Sequence, residues 1–254
     1  MTKFLLWAFV GATWLAPLGA SAADAIQLKV GVGQKMEATL YKPAGAGPFP
    51  AVIVLHTSSG LRPPEHGYAT RLADEGYVCL VPDFFTPYGL GDFNRQMTFT
   101  THAKAIYADF VAARDALKQM KEVRADRIGA VGFSNGGYWA LLLAARGDVQ
   151  AGVSYYGAVN AANTDPSLSA FRMAFTSSSS PVLVLHGARD DTVFPRYAED
   201  LKSILVEAKA PFEFQMYDSA GHGLERGKNR GTDAANDAWR RTLRFFDATL
   251  RKTQ

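Results

Sequence analysis

Four short stretches of the chain are apolar at nearly every position: 51–55 (AVIVL), 77–81 (YVCLV), 128–131 (IGAV) and 182–185 (VLVL). Short unbroken runs of this kind suit parallel strands that are covered on both faces. The segment 151–156 (AGVSYY) predicts a further strand. By contrast, Phe212, Phe214 and Met216 alternate with Glu213 and Gln215, which places that strand nearer an edge with one wetter face. Segments 26–30 and 36–41 predict an antiparallel opening pair, with Gly31-Val32-Gly33 as its turn and a Pro/Gly-rich turn over 43–50 behind it. Ile106, Phe110, Ala113, Leu117 and Met120 recur at helical spacing, as do Trp239, Leu243, Phe246 and Leu250 near the end. Their aromatic members read as core. Strands alternating with helices predict an α/β fold: a mostly parallel, doubly wound sheet with helices on both faces.

Residues 1–22 stand apart from this pattern. Lys3 gives a positive start, Phe4-Leu5-Leu6-Trp7-Ala8-Phe9-Val10 opens an apolar stretch reaching about Leu18, and Ala20-Ser21-Ala22 fits the small-residue cleavage rule. The apolar core is short for a membrane span, which needs about 20 residues. The reading is a cleavable signal peptide over 1–22, one domain over 23–254, a periplasmic or secreted protein, and no stable membrane span after processing. Cys79 is the sole cysteine and lies inside an apolar run, so no internal disulfide forms and the thiol reads as a small buried hydrophobe. The formal net charge of +3 comes without any Lys/Arg-rich run, which gives nucleic-acid binding no support.

The most informative motif follows the third apolar run. Gly132-Phe133-Ser134-Asn135-Gly136-Gly137 leads into the helix-forming stretch Tyr138-Trp139-Ala140-Leu141-Leu142-Leu143. Gly-x-Ser-x-Gly between a strand and a helix predicts a sharp turn that lifts the serine hydroxyl above the sheet. Two further strand ends carry partners: Asp190, in His186-Gly187-Ala188-Arg189-Asp190-Asp191, and His222, in Gly221-His222-Gly223. Serine, acid, histidine is the chain order of the α/β-hydrolase triad. A serine hydroxyl is a poor nucleophile until a base takes its proton, and free imidazole, titrating at about 6.5, is suited to that task. Asp190 is preferred to Asp191 as the acid, because Asp191 suits the start of the following turn. The oxyanion hole is expected from the backbone N–H of Asn135 and of Ser58, the latter in the His56-Thr57-Ser58-Ser59-Gly60 loop after 51–55, with Thr57 the next choice. His56 and His186 close apolar runs and read as structural; His66 and His102 lack catalytic spacing. No Cys/His cluster, His-Glu-x-x-His or acidic loop points to a metal, and no cofactor is called for.

From about residue 36 to the last helix, the chain resembles the dienelactone hydrolase family. The matching motifs are Leu55-His56…Gly60-Leu61, Leu72-Ala73…Gly76-Tyr77, Pro82-Asp83-Phe84-Phe85, the Gly132–Gly137 turn, His186-Gly187…Asp190 and Gly221-His222. The resemblance implies an α/β-hydrolase fold and hydrolytic chemistry. It also marks departures. Members that cleave dienelactone carry a cysteine nucleophile where Ser134 stands, and a gating glutamate where Thr57 stands. They hold the substrate carboxylate with two arginines; Arg226 matches one, and Pro87 occupies the place of the other. Arg226 and Thr57 are therefore the expected substrate-binding positions.

Taken together, these features predict a serine hydrolase that cleaves small carboxylic esters or lactones through an acyl-enzyme. A dienelactone (carboxymethylenebutenolide) hydrolase proper and a serine peptidase are the enzyme alternatives. A non-catalytic binding protein on the same fold is the alternative of another class, and the intact triad argues against it. Segments 84–101 and 160–180 have no clean period and are candidates for a substrate-binding wall or lid. No motif speaks to oligomeric state.

Overall fold

The computed structural model describes residues 22–31, 34–157 and 167–251. The strands are β1 (Ala22–Val30), β2 (Gln34–Lys42), β3 (Phe49–Leu55), β4 (Val78–Pro82), β5 (Val123–Phe133), β6 (Ala151–Tyr155), β7 (Val182–Gly187) and β8 (Phe212–Tyr217). They form one eight-stranded sheet in the order β1-β2-β4-β3-β5-β6-β7-β8. β1 pairs antiparallel with β2, and β2 antiparallel with β4; every other neighbouring pair is parallel. The helices are α1 (Pro63–Asp74), α2 (Ala103–Lys118), α3 (Asn135–Ala145), α4 (Ser167–Ala174), α5 (Pro195–Glu207) and α6 (Asp233–Phe246).

The apolar runs are the inner strands. β3, β4, β6 and β7 are buried along almost their whole length, while β8, with Glu213 exposed, takes the outer edge. Burial divides into two clusters, one on each face of the sheet. Ile106 and Phe110 of α2, Leu141 of α3, Phe171 of α4 and Leu201 of α5 belong to one; Tyr68 and Leu72 of α1 and Phe245 and Phe246 of α6 belong to the other. Each such fully buried side chain contributes roughly 1.5–3 kcal/mol of transfer free energy. This two-sided covering makes the sheet doubly wound, and α/β-hydrolase is its architecture.

Some boundaries differ from the sequence reading. Met120 lies beyond α2; its N–H bonds to Leu117 in a closing turn, and the side chain still packs on the core. Leu250 stays fully buried but belongs to a π-helical turn, Asp247–Arg251, rather than to α6. The polar run 176–180 packs against the end of α3. Ser179 Oγ donates to Ala145 O, a carbonyl in the last turn of α3, and Ser180 N–H donates to Ala144 O, which also accepts the Gly147 N–H. Residues 160–166 of the 160–180 candidate lie outside the described residues, as do Val32, Gly33 and residues 1–21 of the signal-peptide reading. Among the described residues, no helix is long and apolar enough to cross a membrane.

Candidate active site

The side chains of interest all follow the carboxyl ends of parallel strands: residues 56–60 after β3, Ser134 after β5, Tyr156 after β6, Asp190 after β7 and His222 after β8. Parallel strands in one sheet all end on the same edge, so loops far apart in sequence meet there. Ser134 sits at φ 52°, ψ −111°, in a backbone region that L-residues seldom occupy. The surroundings hold it in place. Its N–H donates to Tyr155 O, its carbonyl accepts from Tyr138 N–H, and the Gly136 N–H donates to His56 O. The turn admits no side chains at its glycines: a Cβ on Gly132 would lie 2.0 Å from Gly136 O, and one on Gly136 would lie 2.2 Å from Leu55 O.

His222 Nδ1 lies 2.8 Å from Asp190 Oδ2, and Asp190 is 2% exposed. The other Asp190 oxygen accepts the N–H groups of Thr192 and Val193 at 2.9 and 2.8 Å. Burial pushes the Asp190 carboxyl up, but the His222 contact and the two backbone donors outweigh it, and the net shift is downward. Asp190 is thus ionised at neutral pH and can only accept, so Nδ1 carries the proton and Nε2 presents its lone pair. Asp191 is exposed and, among the described residues, accepts a hydrogen bond only from Thr192 Oγ1. Ser134 and His222 line one cavity of about 490 Å³, and no hydrogen bond joins them in this structure. His186, behind the acid, donates its Nε2–H to Val193 O at 2.8 Å, and His56 donates its Nδ1–H to Thr57 O at 2.7 Å. Both are fully buried; desolvation lowers the pKa of each, that of His56 to about 4.

Thr57, Ser58 and Asn135 line the same cavity. Asn135 is buried, and its side-chain amide donates to Ser58 Oγ at 3.2 Å and to Thr98 Oγ1 at 3.4 Å, while Oδ1 accepts from Trp139 Nε1 at 3.1 Å. Arg95 and Phe99 of segment 84–101 lie on the cavity wall, and Thr98 between them meets the Asn135 amide. Arg62 also lines the cavity, its Nε donating to Ser59 O at 3.0 Å.

Arg226 is placed where the resemblance puts a carboxylate-binding arginine, on the cavity lining, but its guanidinium is already engaged. Nη1 meets Glu65 Oε1 at 2.8 Å, Nε meets Glu225 Oε1 at 2.5 Å, and the plane lies 4.9 Å from the Phe133 ring centroid. Glu65 is fully buried in α1, where its second oxygen accepts the Arg62 N–H. Glu225 also accepts the Tyr156 hydroxyl at 2.7 Å. The Tyr156 ring, at φ 43°, packs edge-on against His222 with centroids 4.5 Å apart. Arg226 and Pro64 are shared with a second cavity of about 300 Å³ that reaches Arg71 and Arg230. Among the described residues, no cluster of His, Cys, Asp and Glu is arranged to hold a metal.

A strained serine turn, an Asp–His pair and an eight-stranded sheet of this order agree with a family profile, that of the dienelactone hydrolases, which matches residues 36–250. The chain belongs to the dienelactone hydrolase family. A carboxymethylenebutenolidase from Rhodococcus opacus is 30% identical over 223 residues, spanning 83% of this chain and 86% of that protein. A solved structure from Klebsiella pneumoniae, assigned as a dienelactone hydrolase, superposes with a TM-score of 0.75 at 25% identity, covering 89% of this chain and 98% of its own. A dienelactone hydrolase-like promiscuous phosphotriesterase from metagenomic libraries shares the fold, with a TM-score of 0.74, 24% identity, and coverage of 91% and 100%. This dienelactone hydrolase family member is accordingly a hydrolase.

Several groups at the site have no signature in the sequence of this family member. Glu65 lies in an ordinary amphipathic helix, and nothing in its neighbours marks a carboxylate that will meet Arg226 across 161 positions. Tyr156 and Glu225 are equally silent, although two tyrosines ahead of Gly157 at a strand end were a usable hint. Arg62 and Arg95 escape notice because surface arginines are common in any chain.

Proposed function

We propose that this protein hydrolyses small carboxylic esters or lactones through an acyl-enzyme on Ser134. The observation that carries the reading is one cavity lined by a serine in a strained turn and by a histidine whose far nitrogen is held 2.8 Å from a buried carboxylate. In this mechanism Ser134 Oγ attacks the substrate carbonyl carbon while His222 Nε2 takes the hydroxyl proton. The Ser134–His222 hydrogen bond forms with substrate in place, as such contacts often tighten only in the complex. Asp190 keeps the imidazole in the productive tautomer and stabilises the transient imidazolium. The oxyanion is held by the N–H groups of Asn135 and Ser58. Collapse of the tetrahedral intermediate breaks the acyl–oxygen bond, and His222 returns the proton to the leaving alkoxide. In a lactone that alcohol stays tethered to the acyl group. Water, deprotonated by His222, then attacks the acyl-enzyme; the second collapse releases the acid and restores Ser134.

The cavity volume, about 490 Å³, falls within the range for small-molecule sites. Engagement of Arg226 by two carboxylates supports neutral esters as better substrates than dienelactone carboxylate. Dienelactone cleavage proper is the second reading, supported by the name of the Rhodococcus opacus relative. Residues 1–22 support action in the periplasm or outside the cell. A fluorophosphonate probe should label Ser134 covalently, and Ser134→Ala should lose labelling together with roughly 10³-fold or more of ester turnover. An unlabelled wild-type protein, or an alanine variant that keeps its turnover, would overturn the reading.

A further inference from the structure

The side chain of Ser58 has a proton with no assigned use, and the surrounding hydrogen bonds show that it does not go to Asn135. Trp139 Nε1 can only donate, so the Asn135 atom 3.1 Å from it must be the amide oxygen. That fixes the amide nitrogen of Asn135 toward Ser58 Oγ, 3.2 Å away, and toward Thr98 Oγ1, 3.4 Å away. Ser58 Oγ is therefore the acceptor in its contact with Asn135, and its own proton is directed elsewhere. Thr98 is different: its hydroxyl donates to Arg95 O. Among the described residues, no acceptor receives the Ser58 proton. Ser58 is half-buried and lines the cavity together with Ser134, Asn135 and His222.

We propose that the Ser58 hydroxyl, held by the Asn135 side-chain amide, is a third donor to the oxyanion, beside the backbone N–H groups of Asn135 and Ser58. The inference rests on the acyl-enzyme reading above. Its physical basis is preorganisation: a donor aimed before the reaction at the place where negative charge develops costs no reorientation when that charge appears. An amide N–H bonded to Oγ also polarises the hydroxyl and makes it a stronger donor. No proton is transferred from Ser58; the hydroxyl donates a hydrogen bond to the tetrahedral oxyanion and releases it on collapse.

The test is Ser58→Ala in the full chain, which removes the hydroxyl and keeps the backbone N–H. With p-nitrophenyl acetate, kcat should fall about 10²-fold with KM within about threefold, the range for losing one oxyanion donor. Binding of an aryl boronic acid or trifluoromethyl ketone, whose adducts carry the oxyanion, should weaken by a similar factor, and Ser58→Thr should recover most of both. If the alanine variant does not fold, Ser58→Cys keeps the volume with a weak donor and gives the same test. A kcat and an inhibitor affinity both within threefold of wild type would overturn the proposal. So would a lower kcat with unchanged inhibitor affinity, since the hydroxyl would then act as a brace for its loop. Fluorophosphonate labelling of Ser134 in the same variants separates these outcomes from failure of the acyl-enzyme reading, which would abolish labelling in the wild type too.

Discussion

Arg226 offers a sharp test of the site's electrostatics, because a substrate clamp and a structural brace predict different measurements. Arg226→Met deletes the charge that balances Glu65 and Glu225, both of which are shielded from solvent, and keeps much of the apolar stem over Phe133. Removing one partner of a buried ion pair costs about 3–5 kcal/mol, because the other charge stays buried without compensation. The arginine side chain is 21% exposed, so water entering its place relieves part of that cost, and the lower figure of about 3 kcal/mol applies. At roughly 2–4 °C per kcal/mol for a chain of this size, the melting temperature should drop by about 6–12 °C. Turnover should fall as well, even on neutral esters, because Glu225 holds the Tyr156 hydroxyl and the Tyr156 ring packs against His222. Adding Glu65→Gln and Glu225→Gln to Arg226→Met should restore most of the lost stability, since neutral amides neither repel each other nor need a cation. The measurements are urea and thermal unfolding of the single and triple variants, alongside p-nitrophenyl acetate kinetics. An Arg226→Met protein within about 1 kcal/mol of wild type, with a changed KM only for carboxylate-bearing substrates, would refute the brace and restore the clamp; the threshold lies well below the penalty for an orphaned buried charge.

Other consequences follow from the same geometry. Asp190→Asn should lower kcat by roughly 10³- to 10⁴-fold, because an amide can present its N–H to Nδ1 and stabilise the wrong tautomer, while Asp191→Asn should stay within about threefold; the reverse ranking in steady-state kinetics would move the acid to Asp191. The protein should lose stability as pH falls below about 6.5, since unfolded His56 binds a proton that the buried ring, with its pKa lowered to about 4, refuses. Between pH 6.5 and 5 this amounts to roughly 1–2 kcal/mol, because the full slope of about 1.36 kcal/mol per unit is reached only well below the unfolded pKa, and His56→Asn should show a correspondingly flatter pH dependence in urea unfolding. The depressed Asp190 carboxyl works in the same direction, but only below about pH 4, where the unfolded carboxylate protonates. Arg95 lines the cavity with an exposed guanidinium whose Asp92 contact is 4.0 Å long, so Arg95→Ala should raise KM for carboxylate-bearing substrates and leave neutral esters unchanged; equal effects on both would remove it from substrate recognition.

Much of this architecture is written in local pattern. A strand covered on both faces must be apolar throughout, so β3, β4 and β7 announce themselves, and the alternation of Phe212, Phe214 and Met216 with Glu213 and Gln215 marks the edge position of β8. The serine turn is legible for the same kind of reason: a Cβ on Gly132 would strike the backbone of Gly136 four residues on, a constraint contained in the turn itself. Asp190 and His222 could be picked out because a parallel sheet brings every strand end to one edge. The groups that tertiary structure alone decides are those whose partners lie far away in sequence. Glu65 becomes the counter-ion of Arg226 only when α1 packs beside the histidine loop, and Tyr156 becomes a wall for His222 only when β6 and β8, one strand apart, end on the same edge of the sheet. The orientation of the Asn135 amide depends on Trp139 one turn along α3, but its meaning depends on Ser58 and Thr98, which arrive from two other loops. Periodicity reports what a residue's own segment must bury; it carries no information about which charge or hydroxyl another segment will set opposite it.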